Sequence, residues 1–216
     1  KYLLADSTYK NDYPTIAIFN SMLLKEYFEN NHYHFAHSFA FDPVLNDGLR
    51  NALEKIPEQV RKKKQILVYG RPGTERNAFN LVVAALKKWV FMQPDIEAWE
   101  ILSAGEMHRT VALGNGKELT SVGKLSIEEY ANMLEESYAG ISLMCSPHPS
   151  YPPLEMSVFD VKTITNTYAN KDLKDFNENI ISLDNISPMN IAKHLVEICI
   201  KKGYQDYSEE TGSGAA

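Results

Sequence analysis

The chain has 216 residues, 44% of them hydrophobic and 23% charged, an ordinary mix for a globular protein with a core of useful size. A formal net charge of −6 and one short basic run, Arg61 to Lys64, argue against nucleic acid as a partner, since phosphate-backbone binding needs a broad basic footprint. No apolar stretch approaches the roughly 20 residues that span a bilayer.

The opening Lys1-Tyr2-Leu3-Leu4 carries no charged-then-apolar leader and reads as an excerpt rather than a signal peptide. Thr15 to Asn20 is a short apolar, β-branched run, the pattern of a buried parallel strand. Asn20 or Ser21 caps a helix through Leu24, Tyr27 and Phe28, and His32 to Phe41 reads as extended. An amphipathic helix with Leu49, Leu53 and Ile56 follows, and the basic run reads as a solvated helix end.

A denser alternation comes next. Strands are expected at 65–69, 99–104, 140–145 and 162–166. Helices are expected at 77–90, where Phe79, Val82, Val83, Leu86 and Trp89 keep helical spacing, and from Ser126, with Glu129 completing a capping box. A short helix is expected over 153–159, and a last one from Ser187-Pro188 to Lys202. Strands separated by helical stretches imply an α/β fold with a doubly wound parallel sheet. Ligands of such sheets bind outside the carboxyl ends of the strands, which points to the loops after Tyr69, Ala104 and Cys145. Cys145 and Cys199 sit in apolar segments and read as buried thiols of a cytoplasmic protein, and no Cys/His spacing matches a zinc site.

Three loops can carry chemistry. In Gly70-Arg71-Pro72-Gly73-Thr74-Glu75-Arg76, glycines permit a sharp turn and the two guanidinium groups suit a diphosphate, although loop arginines are as often simply solvated. Lys124, just before the capping-box helix, can meet a phosphate or a base carbonyl, or lie exposed. The proline-dense run Ser146 to Glu155 aims the backbone N–H groups of Ser150 and Tyr151 at an anion beside a helix N-terminus. Glu155 in the first turn either steadies the helix dipole or accepts hydrogen bonds from sugar hydroxyls. His148, between two prolines, reads as a positioning group rather than a general base.

Together the stretches YGRPGTERNAF (69–79), SVGKLSIEEYA (121–131), GISLMCSPHPSYPPLEMSVF (140–159) and ITNTYANKDL (164–173) resemble the donor-binding, Rossmann-like C-terminal half of GT-B glycosyltransferases related to family 4. The resemblance is to the WsaF-type bacterial rhamnosyltransferases and rhamnan-synthesis proteins. It implies that Arg71 meets the donor diphosphate, with Arg76 as a second basic residue, that Lys124 and Tyr151 belong to the nucleotide pocket, and that Glu155 binds the nucleotide's pentose. Two departures stand out. The first glutamate of the family's E-x7-E pair falls at Pro147, and the glycine usual after the short helix is Asp160.

The resemblance further implies a remnant of the N-terminal, acceptor-binding domain over 1–42, a linker helix over 43–64, the donor domain over 65–205 and a flexible tail over 206–216. The expected reaction is metal-independent transfer of a deoxyhexose, L-rhamnose from dTDP-L-rhamnose, to a growing cell-surface polysaccharide. It involves no cofactor and no metal; the partners are a nucleotide sugar and an oligosaccharide or polysaccharide acceptor. The site is cytoplasmic, with peripheral membrane association through the full-length protein. No catalytic residue is assigned, and this fragment alone is expected to be inactive. A non-catalytic nucleotide- or phosphate-binding α/β module is the alternative, because fold does not fix function. A receiver-like domain needs acidic strand ends, where this chain carries Arg71 and Ser146.

Overall fold

Two parallel strands, β1 (Ile16–Phe19) and β2 (His37–Ala40), joined through α1 (Met22–Asn30), form a small sheet separate from the main one. The computed structural model describes residues 8–57 and 61–212, with side chains described as far as Lys201. Ser21 caps α1 as expected, its hydroxyl accepting the Leu24 N–H at 3.1 Å. Phe28 packs on Phe19 and Tyr33, with ring centroids 5.3 and 4.8 Å apart, and holds α1 against the strands. The extended stretch anticipated over 32–41 is a strand only in its last part, because His32 turns the chain at φ 61°. The helix anticipated next is α2 (Asp47–Leu53), anchored by buried Leu49.

The main sheet begins with β3 (Lys63–Gly70), followed in the chain by α3 (Phe79–Trp89), β4 (Glu100–Gly105), β5 (Val111–Gly114), β6 (Lys117–Gly123), α4 (Ile127–Glu136), β7 (Ser137–Ile141), α5 (Tyr151–Val158), β8 (Lys162–Asn166), β9 (Ile180–Leu183) and α6 (Pro188–Gly212). The strand order is β5-β6-β4-β3-β7-β8-β9, parallel throughout except for the β5–β6 hairpin. From β3 the chain adds β4 and β6 on one side, then returns to lay β7, β8 and β9 on the other. The direction of winding therefore reverses between β3 and β7. That is the doubly wound sheet the strand–helix alternation implied, and its switch point is where such sheets open a crevice.

Period-two alternation along β3 feeds two cores. Ile66 and Val68 face α3 and α6, where Leu86, Trp89, Ile191 and Leu195 are fully or almost fully buried. Leu67 faces the opposite side and meets Leu49, Ala131, Leu134 and Met156 from α2, α4 and α5. Trp99 stands edge-on to Trp89 at 5.9 Å and to Tyr138 at 6.2 Å.

Several local expectations are corrected. The β5–β6 hairpin was not foreseen, although Asn115 (φ 51°) and Gly116 (φ 71°) make the Asn-Gly turn that joins right-twisted strands. Strand β9 was also not foreseen. Strand β7 starts at Ser137, directly off α4, because the Ser137 hydroxyl donates to Met133 O and accepts from Gln65 Nε2, stitching helix end to strand. The basic run is not a helix end. Lys63 and Lys64 open β3 and pair with Glu136 and Asp95, while Lys62 donates to the main-chain oxygens of Leu134 (2.8 Å) and Phe159 (2.5 Å). Cys199 is buried but Cys145 only half-buried. Helix α6 runs past Lys202 to Gly212, through part of the expected 206–216 tail; residues 213–216 lie outside the described residues.

Candidate functional site

The carboxyl ends of β3, β4, β6 and β7 converge on a cavity of about 690 Å³, within the range of small-molecule sites. Strand β3 delivers the first loop. Gly70 has no substitute at its end: a Cβ there would lie 1.9 Å from the Ser103 hydroxyl of β4. Beyond it a 3₁₀ turn (Glu75–Asn77) precedes α3, and Ala78 between them is left-handed at φ 50°. This break places Arg71, Arg76 and Asn77 on the cavity. The loop's own N–H groups are largely spent: Gly73 N–H donates to the Glu106 carboxylate (3.2 Å) and Thr74 N–H to Arg71 O (2.9 Å). Its contribution is therefore charge rather than a backbone nest.

Strand β6 delivers the second loop. Gly123, at φ 70°, turns the chain so that Lys124 reaches the cavity. The capping box is present: Ser126 Oγ accepts Glu129 N–H at 3.2 Å, and the Glu129 carboxylate accepts Ser126 N–H at 2.8 Å. It fixes the first turn of α4, from which Ile127 and Tyr130 also line the cavity.

The third loop is pinned at its root. The Met144 N–H donates to Asn166 Oδ1 (2.7 Å), while the Met144 carbonyl accepts from Asn166 Nδ2 (3.2 Å) and from Lys171 Nζ (2.6 Å). Cys145 N–H donates to Arg76 O (2.8 Å), tying this loop to the first. Lys171 has no exposure at all, and burial pushes its pKa down to about 8. Ser150 caps α5 in a left-handed turn, φ 70°.

One expectation about this loop is corrected. The Ser150 N–H does not point to a ligand; it donates to His148 Nδ1 at 2.9 Å. With Pro152 and Pro153 in the first turn of α5, the one backbone N–H of that turn without an intrahelical acceptor is that of Tyr151. The same bond settles the histidine. A main-chain N–H can only donate, so Nδ1 accepts and the neutral ring carries its proton on Nε2, which has no hydrogen-bond partner among the described residues. Burial, then Lys171 and Arg76, lower the His148 pKa and keep the ring neutral. With Nδ1 engaged by the Ser150 N–H, the ring orders the loop, as a positioning group would.

Glu155, in α5, is the single carboxylate among the lining residues, against the three cations Arg71, Arg76 and Lys124. Burial raises its pKa, and the neighbouring Tyr130 hydroxyl opposes that shift. Asp160 takes the left-handed turn after α5 at φ 59°, so the position where the resembled family has glycine keeps a glycine-like backbone.

All six anticipated residues, Arg71, Arg76, Lys124, Ser150, Tyr151 and Glu155, line this one cavity. Sequence reasoning passed over Asn20, Asn77 and Tyr130, which line it too, and Lys171 and Asn166, which hold its floor. Asn77 and Tyr130 lay inside the motifs already quoted, but as parts of helical stretches rather than as ligands. Asn166 and Lys171 also lay inside a quoted stretch, 164–173, but nothing local marked their role, which arises across the sheet.

A family model described as WsaF, C-terminal domain, matches residues 64–196. The O-antigen biosynthesis protein RfbC of Myxococcus xanthus is 35% identical over 127 residues, 58% of this chain and 10% of that protein. Among solved structures, a UDP-forming α,α-trehalose-phosphate synthase from Burkholderia vietnamiensis superposes with a TM-score of 0.60 at 9% identity, over 88% of this chain and 55% of the other. A sucrose-phosphate synthase from Thermosynechococcus elongatus gives 0.56 at 12% identity, over 98% and 62%. This chain thus spans about a tenth of the curated relative and somewhat over half of each solved chain. The fold is that of the Rossmann-like C-terminal domain of GT-B glycosyltransferases.

Proposed function

The chain belongs to the WsaF C-terminal domain family, and on that footing we propose that its cavity is the donor site of a glycosyltransferase of cell-surface polysaccharide synthesis. The observation that carries this reading is the lining itself: three cations and one carboxylate, brought from separate loops to the switch point of a doubly wound sheet. A nucleoside diphosphate sugar has the matching pattern, with acidic oxygens at its centre and hydroxyl donors on either side.

In the proposed reaction the bond between the sugar's anomeric carbon and the diphosphate breaks while an acceptor hydroxyl oxygen bonds to that carbon and passes its proton to an oxygen of the departing diphosphate. Negative charge collects on the departing diphosphate. Arg71, Arg76 and Lys124 neutralise it, helped by the free N–H of Tyr151 at the start of α5, so the chemistry needs no metal ion or cofactor. Glu155 accepts from the pentose hydroxyl. The donor we propose is dTDP-L-rhamnose. The sheet of β1 and β2 is the end of an acceptor-binding domain supplied by a longer protein, and this chain alone binds donor without turning it over. The full-length protein works in the cytoplasm, associating peripherally with the membrane.

Calorimetric titration with dTDP tests the site. Arg71→Ala is expected to weaken binding roughly 10- to 100-fold, the size of a lost charge-assisted contact, and Glu155→Ala to abolish measurable binding. Unchanged affinity in both variants overturns the assignment. A non-catalytic binding module would give the same titrations, so turnover of dTDP-rhamnose by the full-length protein with acceptor separates the two.

A further inference from the structure

We propose that Asn77 receives a hydroxyl of the transferred sugar on its side-chain oxygen, and so helps select which sugar the cavity accepts. The inference rests on the reading of the cavity as a nucleotide-sugar site with the pentose on Glu155.

Asn77 lines the cavity, is 2% exposed, and has its amide fixed from one end. Nδ2 lies 3.3 Å from Leu143 O, and a carbonyl only accepts, so the amide nitrogen faces Leu143 and the oxygen faces away from it. That oxygen is buried and has no hydrogen-bond partner among the described residues. An acceptor left so is costly, and a ligand that donates to it removes the cost. The backbone contributes to the same placement. The Asn77 N–H is spent on Thr74 O at 2.9 Å, and Ala78, left-handed at φ 50°, keeps residue 77 out of the regular turns of α3.

Because Asn77 offers an acceptor, it must meet a part of the ligand that donates. The oxygens of an ionised diphosphate only accept. The pentose is held by Glu155 of α5, on the face of the main sheet that α4 and α5 cover, whereas Asn77 stands just before α3, which packs on the opposite face. Arg76, next to Asn77 in the chain, is one of the cations assigned to the diphosphate. In a nucleotide sugar, the part beyond the diphosphate and away from the pentose is the sugar, whose hydroxyls both donate and accept. His148 supplies the complement: its Nε2–H is a second buried, unpaired group on the cavity wall, and it donates. The loops that carry the two residues are bonded to each other, through Asn77 Nδ2 to Leu143 O and through Cys145 N–H to Arg76 O at 2.8 Å. An unpaired acceptor and an unpaired donor on joined loops suit hydroxyls, and phosphate alone could satisfy only the second.

The test titrates dTDP, dTDP-L-rhamnose and the 2-, 3- and 4-deoxy forms of that sugar nucleotide calorimetrically into the 216-residue chain. Each deoxy form lacks one sugar hydroxyl at unchanged charge. The wild type is expected to bind one of them roughly tenfold more weakly than dTDP-L-rhamnose, because the form without the matched hydroxyl leaves Asn77 Oδ1 buried and unpaired. Asn77→Ala should weaken dTDP-L-rhamnose by a similar factor, bring that deoxy form level with it, and leave the affinity for dTDP unchanged. The dTDP arm separates a sugar contact from damage to the loop, which would weaken every ligand alike. A flat wild-type series, a gap that persists in Asn77→Ala, or an equal loss of dTDP and dTDP-L-rhamnose in that variant overturns the proposal. The wild-type series decides even if the variant folds poorly. A wild type that does not bind dTDP at all removes the donor-site reading itself, whereas dTDP binding with a flat deoxy series refutes only the role of Asn77.

Discussion

Replacing Glu155 by Gln should make the empty protein more stable while making it a poorer binder. Burial raises the pKa of this carboxylate, which means the fold favours its neutral form. For an acid whose folded pKa lies above the unfolded value, the stabilising contribution is complete below the unfolded pKa and is lost as pH rises through the folded one. At neutral pH the ionised side chain is therefore a net drain that Gln removes. Binding runs the other way. Exchanging a charge-assisted hydrogen bond for a neutral one costs about 1–2 kcal/mol, or roughly 5- to 30-fold in dTDP affinity. At a dTDP concentration about 100 times the wild-type Kd, ligand binding stabilises the wild type by about 2.7 kcal/mol, but a tenfold weaker variant by only about 1.4 kcal/mol. With roughly 2–4 °C per kcal/mol for a domain of this size, the dTDP-induced rise in Tm should be smaller by about 3–5 °C. Thermal-shift scans between pH 4.5 and 8, with and without dTDP, read both effects. The apo variant should melt above the wild type at pH 7, with the gap closing towards acid pH. A variant that is less stable at pH 7 and keeps the full ligand shift would refute the reasoning.

One half-buried lysine and one fully buried lysine give further tests. Lys62→Met removes the donor that holds the main-chain oxygens of Leu134 and Phe159 near the ends of α4 and α5, and should cost about 1–3 kcal/mol, seen as a Tm drop of roughly 2–12 °C. An unchanged melt would show that those carbonyls are served otherwise. Lys171→Met is expected to do the opposite at pH 7, raising Tm by a few degrees, because Met144 O keeps its bond from Asn166 while a buried cation disappears. The folded pKa of Lys171, about 8, lies below its ordinary 10.5, so wild-type stability climbs between those values as the folded lysine sheds its proton. The advantage of the variant should therefore shrink from pH 8 to 10.5, and a pH-independent loss of stability would contradict this account.

The fold was legible where hydrophobic period and punctuation agreed. Leu86 and Trp89 marked α3, Ser126 with Glu129 marked the start of α4, and Ser187-Pro188 marked the start of α6. It was illegible where strands were short or polar: β5, at the sheet edge, has four residues, its neighbour β6 carries Lys117, Glu118 and Thr120, and only Asn115-Gly116 announced them. In the site, residue types suited to anions or hydroxyls could be read from three loops, and all of them line one cavity. What could not be read was whether each group is free. The commitment of Ser150 N–H to His148, of Gly73 N–H to Glu106 and of Lys171 to Met144 depends on contacts that no local pattern encodes.

Those commitments explain how the cavity is held, and the groups left over indicate what it is for. Nine buried side-chain polar atoms lack a partner among the described residues, and three of them, Asn77 Oδ1, Tyr130 OH and His148 Nε2, belong to the cavity wall. Two of the non-glycine residues forced into left-handed backbone, Ala78 and Ser150, flank it as well, each conformation costing on the order of 1–3 kcal/mol. Ala78 is what lets Asn77 face the cavity before α3 starts, and Ser150 is what aims α5 so that Glu155 does. Strain and unpaired polarity gathered in one place weaken an empty fold. They make physical sense if a ligand rich in hydroxyl and phosphate oxygens supplies the missing partners, so dTDP should slow amide exchange across residues 76–79 and 148–155 more than anywhere else in the chain. Protection spread evenly over the sheet would mean that the cavity's unpaired groups are not what the nucleotide meets.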